Sequence, residues 1–138
     1  MDLSPTVHFK DSNGDGMVNG SDKVWAFFGM RRGGSSYYAL DITNPSLPTF
    51  LWKKSNADTG FSGLGQTWSE PKVIYVNHSS YANKPLLVFG AGFDREYYEG
   101  GAVQSVGAGV YLVEAETGAL VWSSVPGNGT SNTSFPGT

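Results

Sequence analysis

Val, Ile, Leu, Phe, Tyr and Trp recur along the chain in runs of about four to eight residues, separated by clusters of Gly, Ser, Asn, Asp and Pro. No apolar repeat of helical period is sustained, so the pattern predicts strands throughout. The runs place strands near Thr6 to Lys10, Val24 to Met30, Tyr37 to Ile42 and Thr49 to Lys53. Beyond a Gly/Ser-rich connection that reaches Gly65, a second set falls near Pro71 to Val76, Leu86 to Gly90, Gly109 to Glu114 and Leu120 to Ser123. Residues 126–138 are dominated by Gly, Ser, Asn and Thr and are expected to form a flexible tail.

The two sets repeat one another. Ser4-Pro5-Thr6-Val7 is answered by Glu70-Pro71-Lys72-Val73, Phe28-Gly29 by Phe89-Gly90, and Tyr38-Ala39-Leu40-Asp41 by Tyr111-Leu112-Val113-Glu114. Each set closes on a tryptophan, Trp52 or Trp122. The expected fold is all-β, a four-stranded antiparallel blade of the propeller type used twice, with each tryptophan filling space between neighbouring sheets. Blade one covers about 5–53 and blade two about 70–123, within a partial propeller over 1–125. The tryptophans stand about 70 residues apart, longer than a blade of roughly 40 to 50, so loops are expected between strands. Two blades cannot close a ring of about four to eight, so the chain is expected to be a piece of a larger propeller. Its open edges would then expose unpaired backbone, inviting edge-strand self-association. The competing architecture is a small eight-stranded sandwich. The segment Tyr111-Leu-Val-Glu-Ala-Glu-Thr-Gly-Ala-Leu-Val-Trp122 favours the propeller, because its Glu-Thr-Gly turn resembles the repeat of quinoprotein-type propellers.

Composition narrows the function classes. The 138 residues include no cysteine, which removes disulfides and Cys-based zinc sites. The net charge is −3 with no basic stripe, which speaks against nucleic acid. No apolar run approaches the roughly 18 residues of a membrane helix, so no membrane insertion is expected. The charge imbalance is local: setting aside Asp11, Asp15 and Asp22 leaves as many acids as bases.

Those three aspartates belong to Asp11-Ser-Asn13-Gly-Asp15-Gly16-Met17-Val-Asn19-Gly-Ser-Asp22. Oxygen-bearing side chains fall at loop positions 1, 3, 5, 9 and 12 with glycine at 6, the pattern of a twelve-residue calcium loop. Short alternate carboxylates and amides let a tight turn aim six to eight oxygens at a hard cation. Asp11, Asn13, Asp15, the Met17 carbonyl, Asn19 (directly or through water) and Asp22 are the expected ligands of one Ca²⁺. Asp22 is shorter than the glutamate common at position 12. The alternative is a plain acidic hairpin turn. The flanking Lys23-Val-Trp-Ala-Phe-Phe has no helical pattern, so the loop is expected on a β-hairpin, holding it closed where calcium is abundant.

Other candidates are weaker. Gly29-Met-Arg31-Arg32-Gly33-Gly34 lacks a following helix and reads as a tight strand connection carrying two surface arginines. His8 and His78 lie far apart without a nucleophile motif, so no catalytic residue is expected. Asp94, Glu96 and Glu99 read as a solvated loop in which Arg95 is paired.

Arg31 to Pro45, Gly65-Gln-Thr-Trp68-Ser-Glu-Pro71, Leu87-Val-Phe-Gly90-Ala-Gly92-Phe-Asp94 and Gly109 to Gly118 together resemble the C-terminal propeller of the PilY1/PilC family of type IV pilus biogenesis factors and tip-associated adhesins. The resemblance spans about Pro5 to Trp122. It implies a secreted protein of the bacterial surface, pilus tip or outer membrane, and a non-enzymatic role in pilus extension, adhesion and twitching motility. Calcium as a regulator and pilin or minor pilin subunits, or a host surface, as partners are also implied. No Arg-Gly-Asp tripeptide occurs. The competing classes are a scaffold propeller of outer-membrane assembly and a piece of a quinone-dependent dehydrogenase, which needs a full ring around its cofactor.

Overall fold

In the computed structural model of the protein, residues 3–100 and 103–125 are described. The expected flexible tail, 126–138, lies outside them. Eight strands form in chain order: β1 (Thr6–Lys10), β2 (Lys23–Gly29), β3 (Ser36–Asp41), β4 (Thr49–Ser55), β5 (Lys72–Ile74), β6 (Leu86–Gly90), β7 (Val110–Glu114) and β8 (Leu120–Ser124). They make two antiparallel sheets, β1-β2-β3-β4 and β5-β6-β7-β8, each strand pairing with its sequence neighbour. One helical turn, α1 (Arg95–Tyr98), and two short 3₁₀ turns complete the described elements. β5 is shorter than the hydrophobic run around it, because its pairing is confined to Lys72–Val88, Val73–Leu87 and Ile74–Leu86.

The repeat seen in the sequence extends to register. In the first sheet Phe27 pairs with Ala39, and Ala39 with Trp52. In the second, Val88 pairs with Leu112, and Leu112 with Trp122. The register then slips at the same place in both, between Ala39 and Leu40 and between Leu112 and Val113. Such a shared bulge bends both outer strands alike.

Side chains alternate across a strand, and this decides how the sheets stack. Trp25, Phe27, Tyr37, Ala39 and Trp52 of the first sheet meet Leu87, Phe89, Tyr111 and Val113 of the second in one buried cluster. The row Val88, Leu112 and Trp122, equivalent to Phe27, Ala39 and Trp52, therefore takes the opposite face of the second sheet. The sheets stack front to back, as adjacent propeller blades do, whereas a sandwich sets two equivalent inner faces against each other. Tyr37 and Phe89 rings lie 4.2 Å apart at the centre of this contact, and the Tyr37 hydroxyl donates to the Ser69 carbonyl at 2.7 Å. Burial pushes that phenol well above its usual range.

The connection between the sheets is part of the core. Phe61 and Leu64 are fully buried, with Phe61 stacked 5.1 Å from Tyr111. Thr67, also fully buried, accepts a hydrogen bond from the Met30 amide at 2.7 Å through its hydroxyl, which donates to the Ser36 carbonyl at 3.1 Å. Thr6 Oγ1 on β1 ties the two sheets by donating to the carbonyl of Pro71, the residue before β5, at 2.7 Å. Antiparallel order sends the β1–β2 loop to one end of the first sheet and the β2–β3 turn to the other. The acidic loop and the arginine turn thus occupy opposite ends.

Candidate metal centre

Lys10 and Lys23 are the last paired residues of the β1–β2 hairpin, so residues 11–22 form a closed loop of twelve. Glycines make its reversals possible: Gly14, Gly16 and Gly20 adopt φ of +77°, +75° and +54°, a region that costs other residues strain. With these bends the carboxylates turn inward. Asp11 accepts from the Gly14 and Gly16 amides at 2.6 and 2.8 Å. Asp22, only 3% exposed, anchors the loop by accepting from the Ser12 and Asn19 amides at 2.8 and 3.0 Å. Asp15 accepts from the Met17 amide at 2.8 Å and from the side-chain amides of Asn19 and Asn13 at 2.7 and 3.0 Å. The Asn19 and Met17 bonds lead in holding the Asp15 carboxyl below its usual range.

The outcome is a cluster in which ligand oxygens of Asp11, Asp15 and Asp22 all lie within 4.8 Å of one another. Two oxygens on one calcium ion, each at 2.3 to 2.6 Å, stand no more than about 5 Å apart, so the spacing fits that ion. The donor set fits too, since it holds carboxylates, amides and a carbonyl without imidazole or thiolate. Asn13 Nδ2 lies 3.0 Å from Asp15 Oδ2 and 3.1 Å from Asn19 Oδ1. Turning that amide over would present its oxygen at the same place, in exchange for the bond it now accepts from the Asp15 amide. Met17 keeps its side chain 63% exposed, and its carbonyl accepts no hydrogen bond from a described residue. Among the described residues no lysine or arginine bridges the three aspartates. All six residues singled out in the sequence therefore share one loop, in which the Met17 side chain faces solvent.

The remaining candidates are placed as follows. His8 Nε2 on β1 lies 3.1 Å from the hydroxyl of Tyr75, the residue after β5, while His78 Nδ1 accepts from the Ser80 amide at 3.2 Å in its own turn. Among the described residues neither histidine is hydrogen-bonded to a serine or threonine hydroxyl. Arg95 bridges Glu99 at 2.7 Å, and buried Asp94 caps α1. Thr67 and Trp68, on which the arginine turn rests, entered the sequence analysis only inside the Gly65 to Pro71 motif and not as site residues; a conspicuous signal was the isolated Trp in a polar connection.

Two stacked four-stranded antiparallel sheets with an inserted loop on an inner hairpin define a β-propeller-like fold. Comparison with known proteins agrees. The chain is similar to the type IV pilus biogenesis factor PilY1 homolog of Xylella fastidiosa, 41% identical over 51 residues that make up 37% of this chain and 4% of that protein. Its fold matches the crystal structure of the Pseudomonas aeruginosa PilY1 C-terminal domain with a TM-score of 0.65 at 23% identity, over 96% of this chain and 23% of that one. The chain thus spans a small part of either relative. No family model matches it.

Proposed function

We propose that the chain is a calcium-binding piece of a type IV pilus biogenesis factor, a non-enzymatic surface protein that supports pilus extension, adhesion and twitching motility. The observation that carries this reading is the convergence of Asp11, Asp15 and Asp22 in a hairpin loop of a fold similar to the PilY1 C-terminal domain. Three carboxylates in twelve residues repel one another, and a bound divalent cation removes that repulsion while fixing the hairpin. Asp11, Asn13, Asp15, the Met17 carbonyl, Asn19 and Asp22 would hold it. A single loop suits a dissociation constant on the order of 10⁻⁶ to 10⁻⁴ M, weaker than a cytosolic buffer and matched to extracellular calcium. On this reading the protein acts at the cell surface, pilus tip or outer membrane, with pilin or minor pilin subunits and a host surface as its partners. No described helix is long and apolar enough to cross a bilayer.

The test is made in a piliated strain whose parent gene carries Asp15→Ala. Surface pili and twitching zones should fall or lose their response to calcium. Unchanged, calcium-responsive twitching would overturn the reading.

A further inference from the structure

At the end of the sheets opposite the acidic loop, a cavity of about 570 Å³ is lined by Arg32, Gln66, Trp68, Phe93 and Tyr98, with the Arg95–Glu99 pair at its side. Its size falls in the range of about 300 to 1,000 Å³ common for small-ligand sites.

The cavity is built by a strained turn clamped to a buried hydroxyl. Arg31 adopts φ +48°, unfavourable for a residue with a Cβ, and is held there by its amide donating to the Thr67 carbonyl at 3.1 Å. The Thr67 amide donates in turn to the Gly34 carbonyl at 3.2 Å. Gly29 leaves room for this contact, since a Cβ there would lie 2.7 Å from the Thr67 carbonyl oxygen. The clamp brings the Arg31 and Arg32 guanidinia 5.6 and 5.7 Å from the Trp68 ring centre. Trp68 packs edge-on to Phe93 at 6.2 Å, and Phe93 meets Tyr98 at 5.3 Å. Tyr98 is 77% exposed and Trp68 37%, so aromatic surface faces water beside two cations.

Neither Arg31 nor Arg32 has a carboxylate or carbonyl partner for its side chain among the described residues, and Arg31 Nε is sealed from solvent without any acceptor. The nearby acids are already committed: Glu99 to Arg95, and Asp94 to the backbone amides of Tyr97, Ser105 and Val106. Two unmatched guanidinia on a chain of net charge −3 mark a place for an anion. The backbone here offers nothing to an added strand, because Gln66 and Phe93 exchange both of their hydrogen bonds at 2.9 Å. Recognition must come from flat rings, guanidinia and the Gln66 amide. Flat rings match the apolar C–H face of a sugar, and guanidinium matches a carboxylate.

We propose that this cavity binds a carboxylated saccharide, its ring against the Trp68, Phe93 and Tyr98 wall and its carboxylate on Arg32, with the Arg31 guanidinium as a second positive charge on the same Trp68 ring. This goes beyond the calcium reading and uses the other end of the molecule.

The test titrates the full chain with tri-galacturonate and with sialyllactose, each beside its neutral counterpart, the methyl ester and lactose, and with tetraglutamate. Binding is followed by calorimetry and by tryptophan fluorescence, with Trp68→Phe assigning the signal. At least one acidic sugar should bind saturably, about tenfold or more tighter than its neutral counterpart, and which one binds identifies the source of the carboxylate. Arg32→Ala should weaken that binding by about tenfold or more with an unchanged melting curve, and Arg32→Lys should restore part of it. Equal binding of acidic and neutral sugars, binding of neither acid, or tighter binding of tetraglutamate would overturn the proposal. None of these outcomes bears on calcium.

Discussion

Trp52 of the first sheet reaches across to the second, where its indole Nε1 donates to the Ala115 carbonyl at 2.9 Å inside the core. The turn it meets includes Gly118, at φ +68°, where a Cβ would lie 2.8 Å from Trp52 Cδ2. The Glu116-Thr117-Gly118 turn of one blade is thus shaped to receive the tryptophan of the blade before it. Gly118→Ala combines a left-handed backbone with a ring clash and should destabilise the chain by about 1–3 kcal/mol. Trp52→Phe should cost a similar amount by leaving the buried Ala115 carbonyl unpaired, about 1–3 kcal/mol. Urea unfolding curves measure both, and a wild-type midpoint for either variant would refute the interlock.

Thr67 fastens the arginine turn to the core. Thr67→Val keeps the shape but strands the Met30 amide and the Ser36 carbonyl, so a loss of about 1–3 kcal/mol is expected, with Thr67→Ser close to wild type. Equal stability of the Val and Ser variants in the same unfolding assay would contradict this.

Asp94 sets a pH dependence. Amide donors led by that of Ser105 hold its carboxyl below the usual carboxylate range. A depressed folded-state value means the stabilisation is fully present above the unfolded value of about 3.9 and is lost as pH falls through the folded value. Asp94→Asn should therefore melt below wild type at pH 7, and the gap should close as pH is lowered past about 4. A gap that stays constant over that range would show that the carboxylate's charge is not what the amides stabilise.

The strands were legible because each apolar run is short and bounded by turn residues; β1 and β6 coincide with their runs to the residue. The equivalence of Ala39 with Leu112 and of Trp52 with Trp122 was legible as well, since the motif order repeats within one chain; the matching pairs Ala39–Trp52 and Leu112–Trp122 agree with it. The acidic loop was readable because its six residues are local. What escaped was non-local: Phe61, Leu64 and Thr67 sit in a polar connection, and only the closing of two sheets over them makes them core. The arginine cavity escaped for the same reason. A Gly-rich turn carries no mark of the Trp68 that lies over 30 residues away and supports it.

The sheet edges bear on association. β4 carries Phe50 at 63% exposure on an edge strand. Edge-strand self-association should appear as a rise in sedimentation coefficient with concentration, and Phe50→Lys should suppress it. A monomer at all concentrations would count against exposed edges.

Calcium is the central claim, and thermal melting of the chain tests it most directly. With calcium at a hundredfold excess over its dissociation constant, linkage adds about 2.7 kcal/mol to folding stability, so melting curves with calcium and with chelator should separate by several degrees. Asp15→Ala should abolish the separation while leaving the chelated curve almost in place. A melting temperature that calcium does not move would make the loop an acidic turn and contradict the account.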